Sequence, residues 1–250
     1  MNSPVTVAAT NFQAAWAEAV QRLSENKWDL WNLIVQIDNP EIVDNAIHKT
    51  MRNYCQENGL FGPDQVAYTI FPYKLFHPGI SRQKLYNGYW RYFNGLHLSD
   101  YSSWRGTYFE RMIRYKPAAD SVEPTDQLGS IIDSIKNRRV NYGKSYVMVI
   151  PYPNRDGKRI MGAPCLNYIT IQVEGTPQTG LSVSLLAVYR NHDFLKRAYG
   201  NYLGLCKLLQ YIAYETGSNL GRVTCISSHA YIDSQKTSLK KLANEFMEIK

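Results

Sequence analysis

The sequence predicts an α+β fold, a mixed or antiparallel sheet with flanking helices and mainly antiparallel connections in the second half. Three stretches carry that expectation. Leu166–Val173 and Leu181–Val188 alternate apolar and polar residues, and Glu174–Gly180 between them has hairpin chemistry. Residues 194–216 repeat Ala198, Tyr202, Leu205, Leu209 and Ile212 at helical spacing and stop at Gly217. Val223–Ile232 reads as a closing strand whose period of two puts Val223, Cys225, Ser227, His229 and Tyr231 on one face.

The other elements follow in chain order. Residues 1–10 read as a loose lead-in. Asn11 is placed to cap a helix with Phe12, Ala15, Trp16, Ala19, Val20 and Leu23 inward. Trp28–Ile37 reads as a strand ended by Asn39-Pro40. Pro40 suits the first turn of a helix over 41–57, with Ile42, Ala46, Thr50 and Tyr54 on one side and Asn58-Gly59 at its end. Val66–Phe71 is short enough for a strand, and Ser81–Tyr92 suits a helix with Leu85, Gly88, Tyr89 and Tyr92 on one face. Trp104–Tyr115 carries Tyr108, Arg111 and Arg114, and Lys116–Pro124 is a loop. Asp126 caps a helix with Leu128, Ile131, Ile132 and Ile135 inward and a basic end at 136–139. Ser145–Ile150 is a strand stopped by Pro151, and Asn154–Gly162 is a polar loop leading to Cys165. Gly200 and Gly204, four apart, allow a close neighbour, and Ser238–Lys250 reads as a surface helix.

Composition narrows the function classes. The chain has 250 residues, 44% of them hydrophobic, which suits one large domain with a substantial core. No apolar run is long enough to span a bilayer and no secretory signal is evident, so the expected compartment is the cytoplasm. The 4 cysteines, at 55, 165, 206 and 225, form no C-x-x-C pair, so reduced thiols are expected and no metal site. A net charge of +7 favours anionic partners, nucleotides or nucleic acid. Lys74, Arg82, Lys84, Arg91 and Arg105 could track a phosphate backbone, or could form a solvated face over a tyrosine-rich core.

Pro164-Cys165, Arg190-Asn191 and His229-Ala230-Tyr231 sit at the ends of core elements. A cysteine beside proline is held rigidly, and a nearby arginine would lower its pKa and could also grip a phosphate. Asparagine carries donor and acceptor together and can read an amide-like ring edge. His229 and Tyr231, on one strand face, could reach sugar hydroxyls. The set suits nucleophilic attack on a nucleotide base; the competing reading is an inert buried thiol at Cys165.

These residues resemble the thymidylate synthase and pyrimidine nucleotide hydroxymethylase superfamily. That family carries a Pro-Cys nucleophile, an Arg-Ser-x-Asp motif opening a helix that bears Asn, and a His-x-Tyr strand. Here these stand as Pro164-Cys165, Arg190-Asn191-His192-Asp193 with Asn201 eight residues further on, and His229-Ala230-Tyr231. The likeness is strongest over 124–233, with 1–120 divergent, and it implies a thymidylate synthase-like domain spanning 1–250. It implies that Cys165 adds to C6 of a pyrimidine nucleoside 5′-monophosphate, with Tyr108 assisting proton abstraction from C5. Arg190 and Asn191 would hold the phosphate, Asn201 would pair with O4 and N3 of a uridylate, and His229 and Tyr231 would hold the ribose. Asp193 would contact the cofactor, 5,10-methylenetetrahydrofolate, and the assembly would be a homodimer.

Departures from the family pattern are also clear. The Arg-Thr-Gly phosphate loop and the Glu-Leu-x-Trp glutamate have no counterpart, Phe109 follows Tyr108 in place of glycine, and Leu166 replaces histidine after the nucleophile. Lys196 and Arg197 replace an apolar residue and glycine, and Glu248-Ile-Lys250 lacks the apolar closing tail. A hydroxymethylase-like or otherwise specialised methyltransferase relative is therefore the expected reading. Its rivals are a catalytically reduced nucleotide-binding protein on the same scaffold and a nucleic-acid-binding protein.

Overall fold

A computed structural model describes residues 3–96, 106–116, 123–137, 144–152, 156, 163–176 and 179–248. The loop expected over 154–162, apart from Asp156, lies outside the described residues, as do 117–122 of the loop before Asp126 and residues Trp104, Arg105 and Arg139.

The elements run β1 (Val5–Ala9), α1 (Phe12–Glu25), β2 (Asp29–Ile37), α2 (Asn45–Glu57), α3 (Pro63–Tyr68), α4 (Arg82–Leu96), α5 (Tyr108–Ile113) and α6 (Gln127–Lys136). They continue β3 (Lys144–Val149), β4 (Leu166–Thr176), β5 (Gly180–Tyr189), β6 (His192–Asp193), α7 (Ala198–Thr216), β7 (Asn219–Tyr231) and α8 (Lys236–Glu248). The result is an α+β arrangement on a mixed sheet of order β1-β2-β7-β5-β4-β3, with β6 beside β7. Pairings β2–β7, β3–β4 and β4–β5 are antiparallel, whereas β1–β2, β5–β7 and β6–β7 are parallel.

Alternation builds the core. Leu33, Val35 and Ile37 of β2, Val223, Cys225 and Ser227 of β7, Val183, Leu185, Ala187 and Tyr189 of β5, and Ile169, Ile171 and Val173 of β4 are all buried. α7 lies centrally and is buried along most of its length, from Ala198 to Ala213, which fits a helix apolar on every side. It packs on β5 and β7 and carries α1, α3 and α6. Gly200 and Gly204 let α3 approach: a Cβ at Gly200 would meet Val66 Cβ at 2.5 Å, and one at Gly204 would meet the Ala67 carbonyl oxygen at 2.8 Å. α8 covers α1, with Trp16 and Phe246 ring centroids 5.7 Å apart.

Caps set several boundaries. Asn11 Oδ1 accepts from the N–H groups of Gln13 and Ala14, and Asp126 Oδ1 accepts from that of Gly129. Gly175 and Gly180 turn the β4–β5 hairpin at φ of 89° and 83°, and Gly217 ends α7 at φ of 62°.

Five expectations are corrected. Residues 5–9 form β1 rather than a loose lead-in, because they pair in parallel with 33–37. Val66–Phe71 is not a strand: Pro63 opens helix α3, and the Gly62 N–H donates to Gln65 Oε1. The second helix starts at Asp44, whose Oδ1 caps it, and buries Ile47, His48, Met51 and Cys55 instead of Ile42, Ala46, Thr50 and Tyr54. On α4, Leu85 and Tyr89 are buried but Tyr92 is exposed. On β7 the alternation skips a step after Ser227, so that Ala230 takes the core position and His229 does not share the face of Val223 and Cys225.

Candidate functional site

Cys165 stands just before β4 and Arg190 just after β5, and antiparallel pairing of those strands brings them together. The Arg190 backbone N–H donates to the Cys165 carbonyl at 2.9 Å. Its guanidinium donates through Nη2 to the Ala163 carbonyl at 2.9 Å and through Nε to the Pro164 carbonyl at 3.2 Å. The arginine thus straps the turn that presents the thiol.

The electrostatics at Cys165 are a balance. Burial pushes its thiol up, Arg190 and Arg197 pull it down, and Asp193 adds a further upward push. Burial wins, so the net shift is upward. The sequence-based expectation that arginine lowers this pKa has the right sign for Arg190 itself but is outweighed. Arg197, noted from the sequence only as standing where the family pattern has glycine, is a further contributor; it precedes α7, and its backbone N–H donates to the Asp193 carbonyl at 3.0 Å.

Tyr108 opens α5 behind its cap Thr107, whose Oγ1 accepts from the Glu110 N–H at 3.1 Å. Burial pushes the Tyr108 phenol up to about 12, the Cys165 charge adds to this, and hydrogen bonds with the backbone of Leu166 and Cys165 oppose it. Burial also raises the Tyr231 phenol, reinforced by Asp193 and Cys165. Cys165, Tyr108, Arg190, Asp193 and Tyr231 therefore share one electrostatic neighbourhood.

His229 and Asn191 form a second, adjoining group. His229 Nδ1 lies 3.1 Å from Asn191 Oδ1, and its Nε2 lies 2.9 Å from Asp29 Oδ2. The imidazole stacks on Trp31 at 4.7 Å and on Tyr231 at 5.3 Å. These side chains border an open cleft of about 430 Å³, whose lining includes Lys27, Trp28, Asp29, Asn191, His229 and Tyr231. Asp29 and Trp31 were not legible as site residues, because the β2–β7 register that sets them opposite Tyr231 and His229 spans 200 residues. Lys27 and Trp28 have positive φ of 58° and 68°, an uncommon conformation for side-chain-bearing residues.

Two site candidates are engaged elsewhere. Asn201 is buried on α7 and bonded to His192. Asp193 Oδ1 accepts from the N–H groups of Leu195 and Lys196, and its Oδ2 lies 3.5 Å from Lys196 Nζ.

Of the basic stretch Lys74, Arg82, Lys84, Arg91 and Arg105, Lys74 and Arg82 are paired within the chain. Arg52 and Lys74 face Asp64, Arg82 pairs with Asp133, and Arg111 pairs with Asp156. Among the described residues no cluster of three or more His, Cys, Asp or Glu could hold a metal ion, and no helix is long and apolar enough to cross a membrane.

No family model matches this chain. It is similar to a protein of Methanococcoides burtonii that bears the name "Putative thymidylate synthase", 26% identical over 107 residues. The match covers 43% of this chain and 46% of that protein, so the chain spans about half the length of the relative it matches. The likeness is distant and partial.

Proposed function

We propose that the chain has a thymidylate synthase-like fold and activates C5 of a pyrimidine nucleoside 5′-monophosphate, a uridylate, for transfer of a one-carbon unit. The observation that carries this reading is the strap of Arg190 across Ala163 and Pro164, which holds a guanidinium beside the Cys165 thiol. In this reading Cys165 Sγ, as thiolate, forms a bond to C6 of the ring. The electron pair of the C5–C6 double bond moves onto C5 and O4, leaving C5 nucleophilic. Expulsion of the thiolate, after C5 loses its proton, restores the double bond. Arg190 and Arg197 stabilise the thiolate before addition, and Arg190 with Asn191 takes the phosphate. Tyr108 keeps its proton near neutral pH, so it donates to a water or to O4 rather than serving directly as the base. His229 and Tyr231 take the ribose from the cleft side.

The cofactor fits less well. 5,10-Methylenetetrahydrofolate would supply the one-carbon unit, and Asp193 is the residue assigned to its pterin. That carboxylate already accepts two backbone N–H bonds and faces Lys196. Asp193 as it stands does not make a pterin site.

The assembly in this reading is a homodimer through the sheet face opposite the helices. Val149, Tyr168, Val188, Ile226 and Ile34 are register partners across five strands and form one apolar row on that face. None of them is fully buried.

The test is release of tritium from C5-labelled UMP, dUMP, CMP and dCMP, with and without methylenetetrahydrofolate. Release from a uridylate that Cys165→Ala abolishes supports the reading; no release from any of the four sinks it. The net upward shift at Cys165 favours a second reading, a nucleotide-binding protein with reduced chemistry. Calorimetry showing nucleotide binding unchanged by Cys165→Ala, with no tritium release, would select it. The intramolecular pairing of Lys74 and Arg82 takes two members of the basic stretch away from a nucleic-acid stripe.

A further inference from the structure

We propose that Asp29 is a sugar-binding residue, accepting from the 2′- and 3′-hydroxyls of the nucleotide, so that the site prefers ribonucleotides to deoxyribonucleotides. The inference rests on the nucleotide reading above and adds to it the choice of sugar.

Sheet register brings Asp29 to the site. It opens β2 opposite Tyr231, and Trp31 stands opposite His229. The period of two puts Asp29 and Trp31 on one face, with His229 and Tyr231 beside them. The turn that delivers Asp29 is held on both sides. Lys27 and Trp28 take φ of 58° and 68°, the Trp28 N–H donates to the Leu23 carbonyl at 2.7 Å, and the Trp28 carbonyl accepts from the Ile232 N–H at 3.0 Å. That conformation is costly for two side-chain-bearing residues in succession and persists where the surroundings fix it.

The hydrogen bonds leave one acceptor for a ligand. Asp29, Asn191, His229 and Tyr231 all line the cleft of about 430 Å³. Both ring nitrogens of His229 are engaged within the chain, Nδ1 at 3.1 Å from Asn191 Oδ1 and Nε2 at 2.9 Å from Asp29 Oδ2. An ionised carboxylate only accepts, so Nε2 carries a proton and donates it to Asp29. The imidazole cannot swing away, because Trp31 and Tyr231 stack on it with planes 24° and 19° from its own. His229 is thus a positioning residue that meets the sugar through Asp29. The Asp29 side chain is 54% exposed, and its Oδ1 has no partner among the described residues.

The consequence is chemical. In the nucleotide reading the base lies at Cys165 and the phosphate at Arg190 and Asn191. The sugar edge remote from both carries C2′ and C3′ and faces the cleft. Ribose presents two neighbouring hydroxyl donors there, and a carboxylate has lone pairs for both. Deoxyribose presents one, which leaves a charged acceptor partly unpaired. Lys27 and Lys236 also border the cleft, whereas Asp233 is tied to Lys196 at 3.0 Å. The two lysines would draw an anion, so the rival occupant of this edge is a 3′-phosphate. Asp29 opposes that rival, because two anions would then meet.

The test is calorimetry of UMP, dUMP, CMP, dCMP and uridine 3′,5′-bisphosphate. The wild type is expected to bind the ribonucleotide of either base about 10-fold or more tighter than its deoxy counterpart, the scale of one hydrogen bond to a charged group. Asp29→Ala is expected to remove that ratio, mainly by weakening the ribonucleotide; deoxynucleotide binding by the same protein shows that the pocket is intact. His229→Leu, which takes the donor from Asp29, is expected to lower the ratio in part, whereas a merely structural loss would weaken both sugars alike. Equal wild-type affinity for the two sugars overturns the inference and leaves the nucleotide reading standing. So does an Asp29→Ala protein whose ratio is unchanged. Tighter binding of the bisphosphate than of UMP assigns the edge to a phosphate and also overturns it. Binding of none of the four monophosphates removes the nucleotide reading and the inference with it.

Discussion

Arg190 is joined to the Cys165 turn by three hydrogen bonds, one from its backbone N–H to the Cys165 carbonyl and two from its guanidinium to the carbonyls of Ala163 and Pro164. The cation is therefore placed by the backbone it serves, and the thiol receives its field whether or not an anion is bound. Burial still outweighs that field.

The pH dependence of Cys165 alkylation follows from this balance. The folded protein is expected to react with iodoacetamide at Cys165, while Cys55, Cys206 and Cys225 are buried and stay protected. The rate should rise with pH to a midpoint above that of an ordinary thiol, about 8.5. Arg190→Met removes a lowering charge and is expected to move the midpoint higher still. Mass spectrometry of the alkylated peptide across pH gives the midpoint; a downward shift in the variant would contradict the assigned balance.

His192 makes a stability prediction independent of any ligand. Burial pushes its folded pKa down to about 3, below the unfolded value near 6.5. Below pH 6.5 the unfolded chain takes up a proton that the folded chain refuses, so stability is full above that pH and declines beneath it. The expected loss between pH 6.5 and 5 is about 1–2 kcal/mol. Asp64, whose pKa is lowered mainly by bonds from His48, Arg52 and Tyr73 against the opposing effect of burial, loses its contribution only at more acid pH. Urea denaturation at the two pH values should show the decline in the wild type and a flatter response in His192→Gln.

Periodicity made α6, α7 and the β4–β5 hairpin legible, because each has a long, one-period apolar pattern. α3 was misread because its six residues are too few to distinguish a helical from a strand period, and Pro63 was a better guide than the apolar run. β1 was missed because a five-residue edge strand has a pattern any loop could show. The Cys165–Arg190 pair was legible, since hairpin register alone unites the two ends. Asp29 and Trp31 were not, because they reach their partners through strand pairings between distant segments.

Gly200 and Gly204 test the seat of α7 under α3. An alanine at either would gain about 1 kcal/mol of helix propensity. Its methyl, however, would press on the Pro63 carbonyl oxygen at 2.7 Å from position 200, or on the Ala67 carbonyl oxygen at 2.8 Å from position 204. Backbone oxygens cannot move aside as a flexible side chain can, and overpacking costs about 1–3 kcal/mol or more. Gly200→Ala and Gly204→Ala are expected to lower the urea midpoint. A gain in stability from either would show that the two helices are not in this close contact.

The open sheet face gives the last prediction. Val147, Val149 and Tyr168 are 53%, 41% and 38% exposed, and Val149 and Tyr168 continue through Val188, Ile226 and Ile34 as a row of register partners. An apolar row across five strands is a surface that a second copy would cover, and a two-fold assembly would bring the same row against itself. Val147→Lys with Tyr168→Glu places charges on that face while leaving the helix-covered side intact. In sedimentation the wild type is expected to run as a dimer and the double variant as a monomer with unchanged circular dichroism. Exposed substitutions on a monomer would alter stability by only about 0.5 kcal/mol. A wild type that sediments as a monomer, or a dimer indifferent to both charges, would remove this face as the subunit contact.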